Sequence, residues 1–116
     1  MSQAQRSMSI LLLVSVLGMS ARTNAKVATG TLEGIVLDAQ GKPVDYATVT
    51  IQTSDGNHPN LTRTDSDGHF KFTRFETGQY DLRAESGGLF SPWTRRISLH
   101  ANKTAQVTLR LAPSKP

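Results

Sequence analysis

Along residues 30–112 apolar and polar positions repeatedly alternate, the pattern of strands that bury one face. In Ala47-Thr48-Val49-Thr50-Ile51-Gln52, Ala47, Val49 and Ile51 share one side, and Thr48, Thr50 and Gln52 share the other. Phe70 and Phe72 point inward on either side of Lys71. Tyr80, Leu82 and Ala84 point inward, while the intervening charges Asp81, Arg83 and Glu85 face water. Ile97 and Leu99 alternate with Arg96, Ser98 and His100, and Val107, Leu109 and Leu111 alternate with Gln106, Thr108 and Arg110. The opening run, residues 32–37, is apolar on both sides, with Val36 facing one way and Ile35 and Leu37 the other. That predicts a strand covered on both faces, or one packed against the residues that lead into it.

Turn chemistry separates the runs at short intervals. Asp38, Gly41 and Pro43 bend the chain after the first run, and Asp65-Ser66-Asp67-Gly68 forms a tight turn with a glycine where positive φ is expected. Glu76-Thr77-Gly78 and Ala101-Asn102 mark further turns, while residues 54–60 and 86–92 make two longer loops. No stretch of 30–112 carries helical periodicity with caps. The pattern predicts an all-β domain of seven short strands folded as a sandwich. A barrel is disfavoured because both long loops can cross between sheets.

The first residues follow a different plan. Residues 1–6 are polar with one cation, residues 10–17 form an apolar block, and residues 18–25 turn small and polar. This three-part order predicts a secretory signal peptide over residues 1–25, cleaved after Ala25, with Ser20 or Ala21 as the next choice. The apolar block is shorter than the roughly 20 residues of a membrane span, so no stable span is expected after cleavage. Residues 26–29 read as a linker and 113–116 as a polar tail. The expected address is the periplasm or the exterior.

Charge and cysteine content narrow the chemistry. The formal charge of +4 includes Arg6 and Arg22, and their removal leaves 11 cations against 9 acids. A mixed surface of net charge +2 gives no basis for nucleic-acid binding. Cysteine is absent, which removes disulfides, thiol nucleophiles and thiolate metal sites.

Three segments carry a family resemblance. Gly34-Ile35-Val36-Leu37-Asp38-Ala39-Gln40-Gly41-Lys42-Pro43-Val44 with Ala47-Thr48-Val49, then residues 63–72 around Asp65-Ser66-Asp67-Gly68, then Gly78-Gln79-Tyr80-Asp81-Leu82 resemble the carboxypeptidase regulatory-like domains. The resemblance spans about residues 30–111 and implies a transthyretin-like, seven-stranded Greek-key sandwich. It implies an accessory module, without catalysis or cofactor, and the wider fold group makes carbohydrate binding an alternative. The related hydroxyisourate hydrolases carry a Tyr-Arg-Gly-Ser ending that Arg110-Leu111-Ala112-Pro113-Ser114-Lys115-Pro116 does not match.

Candidate sites are few. His58, His69 and His100 sit in a loop or at outward positions without metal-ligand spacing, and Asp65-x-Asp67-Gly68 lacks the later ligands of a calcium loop, so no metal site is expected. No nucleophile-elbow pattern frames a serine. The best contact candidates are Leu89, Phe90, Trp93 and Arg95 in and after the glycine-rich loop. Phe90 and Trp93 either meet a protein partner or glycan, or fold back to cap the core. Arg83, Arg95, Arg96 and Arg110 form either a basic stripe or a solvated, charge-mixed face. The expected function is that of an exported, non-catalytic module for protein interaction or structural packing, with carbohydrate binding through Phe90 and Trp93 as the alternative.

Overall fold

In a computed structural model, residues 27–113 are described. The predicted signal peptide, its cleavage point after Ala25 and the last three residues of the tail lie outside them. The described chain forms β1 (Thr29–Leu37), β2 (Thr48–Thr53), β3 (Asn60–Arg63), β4 (His69–Glu76), β5 (Gly78–Ser86), β6 (Leu89–Phe90), β7 (Thr94–Leu99) and β8 (Thr104–Arg110). Among the described residues no helix is long and apolar enough to cross a membrane.

Two sheets face each other. One has the order β4-β1-β8; the other runs β3-β2-β5-β6, with β7 also pairing β5. The β1–β8 pair is parallel and the remaining pairs are antiparallel. The inward residues inferred from alternation meet between the layers: Val49, Ile51, Leu82 and Ala84 from one sheet, and Leu32, Val36, Phe70, Phe72 and Leu109 from the other, are all buried. The first strand is covered on its inner side by this core. Its outward Ile35, flanked in register by His69 and Thr108, and Leu37, flanked by Pro43 and Arg110, are half-buried.

Local chemistry closes the frame. The Tyr80 hydroxyl donates to the Glu76 carbonyl at 2.6 Å across the corner where β4 crosses to β5. The hydroxyl of buried Thr64 donates to the Val44 carbonyl at 2.6 Å and accepts the Ala47 N–H at 2.7 Å, fixing the entry to β2. Asp38 accepts the N–H groups of Gln40 and Lys42, and Asp65 those of Asp67 and His69, so both aspartates hold their own turns.

The strand count is eight rather than seven. β3 lies partly in the predicted loop 54–60; its Leu61 points outward and exposed, which removes the alternation that marks a strand. β6 falls in the predicted loop 86–92 and is two residues long. Asp81 departs from expectation too: it stands on the outward side of β5 but is only 2% exposed.

Gly34 is where the β4-β1-β8 sheet is tightest. A Cβ there would sit 2.0 Å from the Val107 carbonyl oxygen and 2.7 Å from the Phe70 ring. Backbone cannot yield as a flexible side chain does, so Gly34→Ala should cost about 2–3 kcal/mol or more, in the overpacking range. Urea denaturation checks this; a midpoint equal to that of the unsubstituted protein would show that β1 and β8 are not packed this closely.

Candidate functional site

The outer face of the β3-β2-β5-β6 sheet carries the candidate site. Cross-strand register sets its rows. Arg63 pairs with Thr48, Thr48 with Glu85, and Glu85 with Phe90. One step along, Leu61 pairs with Thr50 and Thr50 with Arg83. All these residues share the outward side because Val49, Leu82 and Ala84 between them face the core.

Arg83 is the centre. Its guanidinium carbon lies 4.5 Å from the centroid of the Phe90 ring and 4.7 Å from that of Trp93. Both distances fall within cation–π range. Phe90 is 45% exposed and Trp93 half-buried, so the pair neither caps the core nor stands free: each ring has the Arg83 cation over one face. Leu89 turns the other way and packs against the core.

Phe90 and Trp93 stand three residues apart, so an unbroken strand would direct them to opposite faces. Two breaks in the ladder bring them together. The first is between the Tyr80–Ile97 and Leu82–Thr94 pairs, where Arg95 and Arg96 together oppose Asp81. Without this bulge, Arg95 would face Leu82 and Trp93 would face Ala84, on the core side. The second is at Ser91. Its N–H donates to the Ala84 carbonyl at 2.9 Å and its hydroxyl oxygen accepts the Ala84 N–H at 2.8 Å. A side chain thus takes the role of a strand carbonyl. Pro92, which has no N–H to offer, follows. The ladder resumes at Glu85–Phe90, one residue displaced.

Asp81 holds the first break. Arg96 has φ 57°, and its N–H donates to Asp81 Oδ1 at 2.9 Å. The Ser54 hydroxyl donates to the same oxygen at 2.8 Å, and Arg95 Nη1 reaches Oδ2 at 3.3 Å. Burial pushes the Asp81 carboxyl up, but the Arg96 N–H, the Ser54 hydroxyl and the two arginine charges outweigh it and hold the group below the usual aspartate range. Arg95, a contact candidate from the sequence, is therefore an ion-pair partner of Asp81. The four arginines do not form one stripe: Arg96 sits in the bulge, and Arg110 belongs to β8 on the other sheet, reaching the Asp38 carbonyl.

Tyr46 and Arg63 were not among the sequence candidates. Arg63 lies 4.5 Å over the Tyr46 ring, a second arginine–aromatic stack on this face. Outward parity placed Arg83 correctly, but no local pattern marks Tyr46 or Leu61 as exposed.

Two other clusters differ in kind. A cleft of about 800 Å³ runs from the β4-β1-β8 sheet, where Glu33, Lys71, His69 and Gln106 line it, to the sandwich edge at Arg63 and Asp65. Glu33 there is tied to Lys71 at 3.8 Å and to Gln106 at 3.3 Å, so its charges largely satisfy each other. Asp65, Asp67 and His69 bring potential ligand atoms within 4.8 Å of one another, all exposed, with Asp65 engaged in its own turn.

The fold and face together define a two-sheet sandwich module whose distinctive surface is aromatic and cationic. The family model of the carboxypeptidase regulatory-like domain matches residues 31–112, and the chain belongs to that family. No curated protein matches the chain. Among solved structures it is similar to the minor pilin of Streptococcus agalactiae, with TM-score 0.63 and 20% identity, covering 78% of this chain and 48% of the pilin. A candidate carbohydrate-binding protein from Bacteroides uniformis gives TM-score 0.56 and 13% identity, covering 72% of this chain and 41% of that one. The dioxygenase domain of a dioxygenase and carbohydrate-binding fusion from Streptomyces gives 0.55 and 12%, covering 79% and 84%. This chain thus spans about half the length of the pilin. At these identities the likeness is one of fold, and one fold here serves quite different proteins.

Replacing Asp81 by asparagine puts an amide against donors that need an acceptor. The expected loss is about 2 kcal/mol at neutral pH, from hydrogen bonds made to a charged group. Because the folded carboxyl titrates below the unfolded one, its stabilisation is complete above pH about 4 and is lost as pH falls through the lower folded value. Thermal unfolding of both proteins between pH 7 and pH 2 should show the gap closing at the acid end. A gap that stays constant to pH 2 would mean that the charge is not what Asp81 contributes.

Proposed function

We propose that this chain is an exported, non-catalytic binding module that holds a protein partner through the outer face of its β3-β2-β5-β6 sheet. It would act in the cell envelope or outside the cell, as a unit formed by residues 30–112. The observation that carries this reading is the Arg83 guanidinium held over both Phe90 and Trp93 on an outward face. Arginine and large aromatics are the residue types that dominate binding energy at protein interfaces. Holding them together before the partner arrives lowers the ordering cost of association. Export is supported by the signal-like order of residues 1–25 and by the likeness in fold to a pilin. Absence of catalysis is supported by the family and by the commitment of Asp38, Asp65 and Asp81 to hydrogen bonds within the fold.

Carbohydrate binding is the second reading, favoured by the 45% exposure of Phe90 and by the Bacteroides uniformis neighbour. It ranks second because a sugar stacks on a ring face, and Arg83 already covers one face of each ring.

The test compares the purified mature chain with its Phe90→Ala/Trp93→Ala variant in cross-linking to envelope proteins and on a glycan array. The expected result is a discrete cross-linked protein whose yield falls at least tenfold in the variant, in line with loss of about 1.4 kcal/mol or more. Equal yield from both proteins would remove the face from the interaction. Array binding that the variant loses, with no protein cross-linked, would establish the glycan reading instead.

A further inference from the structure

Three of the four exposed large hydrophobics of the described chain, Tyr46 (67%), Leu61 (58%) and Phe90 (45%), lie on the outer face just described. Leu61 pairs with outward Thr50 and Phe90 with outward Glu85, while Tyr46, in the turn before β2 with φ 57°, lies beside them because the Arg63 guanidinium stacks on its ring. Among the described residues, ion pairs join Lys71 to Glu33 and Arg95 to Asp81. Among the described residues, neither Arg63 nor Arg83, each stacked on aromatic rings of this face, has a carboxylate within 4.0 Å. Glu85 accepts the Gly88 N–H at 3.0 Å, and Asp81 is buried among Ser54, Arg95 and Arg96.

We infer that this whole face, from the Tyr46–Arg63 stack across Thr48 and Thr50 to the Arg83–Phe90–Trp93 stack, is a docking surface for an extended polypeptide segment that combines acidic and apolar side chains. The inference rests on the proposed binding role of this face, and adds the chemistry of the partner and a second anchor. Charge complementarity calls for the acid: two guanidinium groups stacked on aromatic rings, one on β3 and one on β5, have no carboxylate within 4.0 Å among the described residues. The apolar requirement comes from Leu61, whose exposed side chain offers nothing to hydroxyl groups but buries against another apolar side chain. That favours a polypeptide over an acidic polysaccharide. From β3 to β6 is three strand spacings, about 14 Å. An extended segment of four to five residues covers that distance at ~3.3 Å each. Alternate side chains of such a segment face the sheet, so an acid at every second inward position can meet Arg63 and Arg83 with an apolar residue between them. Thr48 and Thr50 supply hydroxyl donors along the way.

The test is NMR titration of the ¹⁵N-labelled mature chain with hexapeptides that carry glutamate at the first and fifth positions, leucine at the third and serine elsewhere, so that acid, apolar and acid side chains share one face, with their lysine counterparts, and with oligogalacturonate. The glutamate peptides should shift amides at both ends of the face, around Tyr46, Leu61 and Arg63 as well as Arg83 and Phe90. The lysine peptides should leave them unmoved. Arg63→Gln and Arg83→Gln, checked for an unchanged fold by their spectra, should each weaken binding about fivefold, and 200 mM salt should weaken it further. Shifts confined to Phe90, Trp93 and Arg83 would leave the proposed binding role in place and overturn the extension to Tyr46, Leu61 and Arg63. Oligogalacturonate binding with silent glutamate peptides would overturn the polypeptide assignment, as would silence from every probe.

Discussion

The outward surface of this domain depends on two interruptions of a β-ladder. Side chains in a strand alternate strictly, so residues three apart cannot share a face unless the count is broken between them. Between Phe90 and Trp93 it is broken at Ser91, and the Arg95–Arg96 bulge beyond them turns Trp93 to the outer side. Each break has its own substitute acceptor: the buried Asp81 carboxylate for the Arg96 N–H, and the Ser91 hydroxyl for the Ala84 N–H. A buried N–H left without a partner costs on the order of 1–3 kcal/mol, so the breaks persist only because these side chains stand where they do. Asp81 and Ser91, both buried, are in this sense part of the proposed binding face without contributing a side chain to its surface.

Much of the fold was legible because alternation and burial are the same fact seen twice. Val49, Ile51, Phe70, Phe72, Tyr80, Leu82 and Ala84 are inward in the pattern and buried in the structure. The turns around Asp38 and Asp65 were legible from residues that bind their own backbone. What escaped the pattern escaped for physical reasons. β3 exposes Leu61 at an edge, so its hydrophobicity runs opposite to the rule. β6 and β7 together form a twice-broken ribbon in which simple parity misassigns Trp93. Asp81 obeys parity but is roofed by the loop of Ser54 and by the Arg95–Arg96 bulge, which alternation cannot foresee. The candidate site was half legible. Phe90, Trp93 and Arg95 were singled out, but the roles of Arg83 and Asp81 follow only from the register, and the Tyr46–Arg63 stack from contacts across strands.

Family membership and neighbours constrain function less than the face does. A pilin, a candidate carbohydrate-binding protein and a dioxygenase domain share this sandwich at low identity. What they share is the fold. What separates such proteins is the chemistry on the outside, and here one sheet pairs Glu33 with Lys71 and hydrogen-bonds it to Gln106, while the other sets Arg63 and Arg83 against aromatic rings. That asymmetry, rather than the fold, is the basis for proposing one side of the sandwich as the recognition face.

The most direct measurement is the proton NMR spectrum of the Arg83 side chain. Rings within 5 Å on two sides should shift its δ-methylene and Nε protons upfield of their unstructured values, and truncating Phe90 or Trp93 should each remove part of that shift. Arg83 protons at unstructured values in the intact domain would contradict the shared face of the two rings, and with it the site built around them.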